Sequence, residues 1–80
     1  MTEAELKSRL AQILAEEDRT PANWDRVELL CHDLSRELRA DVCDTCPEHV
    51  YHFIADCDIR RRDTEYAEAQ RANLRGFLGD

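Results

Sequence analysis

Glycine and proline are nearly missing from this chain, which carries two of each among its 80 residues. Turns that demand either residue are correspondingly few, which argues against turn-rich all-β architectures. No long β-branched alternation is present to mark strands, so helices are the natural elements. No apolar run approaches the roughly 20 residues that span a bilayer. Lysine occurs once, against ten arginines, and the net charge is −7. A deficit of positive charge speaks against nucleic-acid binding, which needs clustered Lys and Arg to neutralise phosphates. It speaks equally against an anionic membrane surface. The opening Met-Thr-Glu-Ala-Glu-Leu-Lys is acidic and lacks an apolar signal region, so a cytoplasmic location with reduced thiols is expected. No internal repeat, low-complexity segment or linker divides the chain, so residues 1–80 are expected to form one helical domain. A core of that size is marginal without a staple, a metal or a partner chain.

What the chain does have is four cysteines arranged almost symmetrically about residue 44. Cys43 and Cys46 flank that point, and Cys31 and Cys57 lie further out. The symmetry predicts two helices that double back at residues 41–46. Antiparallel pairing then sets Leu38 beside Val50, Leu34 beside Ile54 and Cys31 beside Cys57, with Arg61 near Val27 and Trp24.

The apolar spacing predicts an all-α bundle of three helices, at about 3–18, 21–40 and 47–77. Thr2 and Glu5 form a capping box for the first, and Leu6, Leu10, Ile13 and Leu14 are its stripe. Glu16-Glu17-Asp18 opposes the helix dipole at the carboxyl end, where fraying is expected. Thr20 and Pro21 are read as cap and first turn of the second helix. Its stripe is Trp24, Val27, Leu30, Cys31, Leu34 and Leu38, with Leu29 on the opposite face. Thr45 and Glu48 repeat the capping-box pattern before Val50, Phe53, Ile54 and Cys57. Residues 58–63 contain no Gly or Pro, which favours one continuous third helix. The alternative is a break at Asp63-Thr64, with Asp63 capping a fourth helix. In the continuous form Ile59, Tyr66 and Phe77 point away from the second helix, and Ala69, Leu74, Phe77 and Leu78, after residue 67, outrun it. They then need cover from the first helix or from a second copy of the chain.

One cluster has the density of a site: Cys43, Cys46, His49 and His52. Two thiolates in a C-x-x-C turn suit zinc, with an imidazole as a third ligand. No second ligand pair follows at a recognisable spacing, so no cofactor is the first expectation and structural zinc the alternative. The same C-x-x-C pair can support dithiol chemistry, although no preceding strand is visible and Asp44 and Glu48 oppose a thiolate. A Cys31–Cys57 disulfide fits the facing positions but not a reducing compartment. Buried packing accounts for both of those cysteines without any site. Arg60-Arg61-Arg62 is hemmed by Asp56, Asp58, Asp63 and Glu65, which reads as a solvated, ion-paired face.

No phosphate loop or nucleophile elbow is present, and an enzyme is not expected. The expected role is a small acidic interaction or regulatory protein whose partner is another protein or its own copy. The partner-facing candidates are Ile59, Tyr66, Ala69, Leu74, Phe77 and Leu78. A zinc module at the Cys43/Cys46 corner is the alternative.

Overall fold

The computed structural model describes residues 1–79, and within them five helices form an all-α bundle without strands. Helix α1 spans Glu3–Glu17, α2 Trp24–Ala40, α3 Glu48–Ala55, α4 Cys57–Arg62 and α5 Thr64–Leu78. The Thr2 hydroxyl accepts from the Glu5 amide at 3.1 Å and donates to the Glu5 carboxylate, so the expected first cap forms. Each stripe then buries its apolar side chains in one shared core. Leu6, Leu10 and Ile13 of α1 meet Val27, Leu34 and Leu38 of α2 and Val50, Phe53 and Ile54 of α3. Burying such side chains contributes about 1.5–3 kcal/mol each.

The chain doubles back at the expected corner. Residues 43–46 form a turn closed by the Cys46 amide on the Cys43 carbonyl at 3.1 Å. The terminal ammonium of Met1 also ties down this corner, donating to the Asp41 and Val42 carbonyls. Helix α2 packs on α3 and α4 beyond the corner, and α1 packs on α2. The ion pairs Arg9–Glu37 and Arg26–Glu16 fix α1 and α2 as antiparallel.

The expected continuous third helix is instead three helices, α3, α4 and α5. Neither Gly nor Pro causes the breaks; two aspartates stabilise them. Asp63 adopts an extended conformation and its carboxylate accepts from the Tyr66 amide at 3.1 Å, capping α5. Asp56, at the α3–α4 joint, accepts from the Tyr66 hydroxyl at 2.6 Å and from Gln70 Nε2 at 3.2 Å. These bonds fold α5 back along α3, so that Phe77 meets the His49 ring edge-on at 6.4 Å. The overhanging arm expected after residue 67 therefore does not exist. Leu74 is wholly buried in the chain's own core, and Phe77 and Leu78 pack against it.

Two helix starts also differ from expectation. Thr20 and Pro21 lie in the connection before α2, joined by a cis peptide bond. The cap is Asn23, whose side-chain oxygen accepts from the Arg26 amide at 3.2 Å. Pro47, not Thr45, is the cap position of α3, and it makes no side-chain hydrogen bond there. The Thr45 hydroxyl lies 3.5 Å from Cys43 Sγ instead.

Candidate functional site

Two charged residues occupy positions where the apolar stripes call for a hydrophobe. Glu17 continues Leu6, Leu10, Ile13 and Leu14; Arg60 continues Phe53 and Cys57. Both are buried, Arg60 to 1% exposure. The acidic end of α1 is thus an anchor, and the expected fraying is replaced by a bidentate ion pair. Arg60 Nε lies 3.0 Å from Glu17 Oε1, and Nη2 lies 3.0 Å from Oε2. The remaining donors reach the Phe53 carbonyl, Gln70 Oε1 at 2.9 Å and Cys31 Sγ at 3.8 Å. The guanidinium also stacks over the Phe53 ring, 3.7 Å from its centroid. Arg71 adds a second cation to Glu17 at 3.1 Å. Among the described residues no buried side-chain nitrogen or oxygen lacks a partner.

The Arg60-Arg61-Arg62 run therefore divides. Arg61 and Arg62 are exposed as a solvated face, while Arg60 is a core residue. Arg61 reaches the α2 turn that the pairing register assigned it, but it engages carboxylates: Asp25 at 3.1 Å and Glu28 at 3.6 Å.

The outer face of the α2/α3–α4 hairpin carries a continuous groove. One part, about 240 Å³, is lined by Leu38, Tyr51, Ile54 and Ala55 with Ser35 and Arg39. It shares Ser35, Arg39, Ile54 and Ala55 with a second part of about 490 Å³, which runs on to Cys31, Cys57, His32, Glu28 and Asp58. Tyr51, 42% exposed, stands at the rim. A larger depression between α1 and α2 is lined by Arg9, Asp33, Arg36 and Glu37. Its charges are consumed in the pairs Arg9–Glu37 and Arg36–Asp33.

Cys31 and Cys57 come together as the pairing register requires, both lining the groove. The neighbouring Cys31 thiol draws the Cys57 thiol down to about 7, opposed by desolvation and helped by the Arg60 charge. Cys31 is pushed up by its Cys57 neighbour and then by burial. All four cysteines are free thiols.

The corner candidates separate into two pairs. Cys43 is buried and Cys46 half-buried in one turn, and burial pushes the Cys46 thiol up. His49 lies against Phe77 and His52 Nε2 lies 3.6 Å from the Glu48 carboxylate. Among the described residues no three His, Cys, Asp or Glu side chains converge as a metal-binding group. Of the partner-facing candidates, Leu74 is interior, and Ile59, Tyr66, Phe77 and Leu78 are half-buried; only Ala69 is exposed. None of the six lines the groove. The groove itself escaped sequence reasoning because it arises between helices; the exposed Tyr51 on α3 was its only local signal.

No helix among the described residues is long and apolar enough to cross a membrane. Compared with models of known protein families, with curated proteins and with solved structures, the chain matches none.

Proposed function

We propose that this chain is a small helical interaction module, and that its hairpin groove receives a basic, amphipathic helical segment of another protein. The observation that carries the proposal is the groove itself, with an apolar floor of Leu38, Ile54 and Ala55 beside the exposed Tyr51 ring. Helix-in-groove recognition uses such a floor for apolar anchors at helical spacing. The α2 edge runs from Glu28 to Arg39, which at a rise of about 1.5 Å per residue matches roughly three turns of a partner helix. Glu28 and Asp58 line one end, and the net charge of −7 steers cationic partners toward the molecule. The same charge opposes a second copy in the groove.

A synthetic amphipathic helix with Leu anchors and an Arg-rich outer face provides the test, read by amide chemical shifts. The expected shifts cluster at Ser35, Arg39 and Ala55, and Ala55→Arg abolishes them. Shifts scattered over the surface, or a peptide insensitive to Ala55→Arg, refute the groove as the docking site. Sedimentation separates homodimerisation: a monomer that binds the peptide supports the proposal, and a dimer occluding the groove replaces it.

Structural zinc at the corner is the second candidate, supported by two thiols in one turn. Stoichiometric zinc in protein purified without chelator, lost in Cys46→Ser with a fall in melting temperature, would favour it. Metal-free folded protein would end it.

A further inference from the structure

We propose that Cys31 and Cys57 form a peroxide-oxidised dithiol site, with Cys57 the attacking sulfur and Cys31 the resolving one. The pair is independent of what occupies the groove above it. Its two sulfurs come from different helices, α2 and α4, and both line the same section of the groove. The other two cysteines sit in the corner turn. Cys57 is the better exposed, at 6% against 2% for Cys31. So small an opening admits an oxidant of about the size of water and hinders a bulky disulfide, which assigns the substrate class as hydrogen peroxide. The Arg60 guanidinium, 3.8 Å from Cys31 Sγ, supplies the positive charge that thiolate chemistry needs. Glu28 and Asp58 line the same groove section and work against a thiolate at Cys57, and Glu17 does so at Cys31. The neighbouring Cys31 thiol outweighs them at Cys57.

The chemistry balances in two steps. The Cys57 thiolate attacks one peroxide oxygen; the O–O bond breaks, and the other oxygen takes a proton and leaves as water. Cys57 is then a sulfenic acid, two electrons more oxidised. The Cys31 sulfur attacks that sulfenic sulfur, the S–O bond breaks, and the hydroxyl leaves as a second water with the thiol proton. Two thiols and one peroxide give one disulfide and two waters.

The test uses Cys43→Ser/Cys46→Ser protein, which retains only this pair, beside unmodified protein examined by peptide mapping in case the double variant folds poorly. Limiting peroxide at pH 7 is expected to remove both thiols, link the Cys31 and Cys57 peptides, and act roughly tenfold faster than on free cysteine, in line with its larger thiolate fraction. A dithiol reductant restores both thiols. In Cys31→Ser, oxidation stops at a Cys57 sulfenic acid, which dimedone traps once the quenched protein is unfolded. The proposal is overturned if both thiols persist while free cysteine is oxidised. It is equally overturned by a Cys57 sulfinate beside free Cys31, or by a Cys43–Cys46 bond in the unmodified protein with Cys31 and Cys57 unlinked.

Discussion

Replacing Arg60 by alanine should nearly unfold this protein, although an arginine between two others looks like an expendable surface charge. The substitution leaves the Glu17 carboxylate buried with Arg71 as its remaining cation, and strips the Phe53 carbonyl and Gln70 Oε1 of a donor. Removing one partner of a buried ion pair costs about 3–5 kcal/mol, and each orphaned acceptor adds roughly 1–3 kcal/mol where water does not reach it. These losses overlap, because the groups share one cavity, so about 4 kcal/mol is the expected total. A chain of 80 residues has roughly 4–12 kcal/mol of stability in all. The melting temperature should therefore fall by about 15–30 °C, measured by circular dichroism with urea titration as the second axis. Glu17→Met/Arg60→Met should be less unstable than the sum of its single variants by about 2 kcal/mol, since neither charge is then stranded. An Arg60→Ala protein within about 1 kcal/mol of the parent, the range of exposed pairs, would mean that the pair is solvated and refute the reasoning.

Leu74→Ala should cost about 2–5 kcal/mol by opening a cavity, and the denaturation midpoint should not depend on protein concentration if Leu74 serves the monomer core. Asn23→Ala should cost about 1 kcal/mol through the lost cap, with Thr20→Ala near neutral in the same urea titration; the reverse order would restore Thr20 as the cap. Gly76→Ala should stabilise by about 1 kcal/mol, because the position is helical and a Cβ there meets nothing within 4 Å. Oxidation of Cys57 by hydrogen peroxide should rise with pH and reach half its maximal rate near pH 7, its thiol being lowered to about 7. The sign follows from the thiolate being the nucleophile: the rate falls as pH drops through that value. A midpoint near that of an ordinary thiol, about 8.5, would contradict the lowering of Cys57 by its Cys31 neighbour.

The helices of the hairpin, their register and the meeting of Cys31 with Cys57 were legible because apolar spacing and cysteine symmetry are local and periodic. The break at Asp63 was legible as the alternative to a continuous helix, because its cap on the Tyr66 amide is local; the break at Asp56 was not, because its bonds come from the Tyr66 and Gln70 side chains of another helix. Glu17 and Arg60 were misassigned for a different reason. Their charge points to solvent, whereas their positions fall on the buried apolar stripes. The groove is the least legible feature of all, since it is made by the gap between two helices rather than by any one of them.

Arg60 belongs to α4 yet touches α1 through Glu17, α2 through Cys31, α3 through Phe53 and α5 through Gln70. A side chain tied to every other helix leaves none of them free to peel away alone. Amides in the middle of all the longer helices should then exchange with solvent through one shared opening event, rather than on a ladder of separate ones.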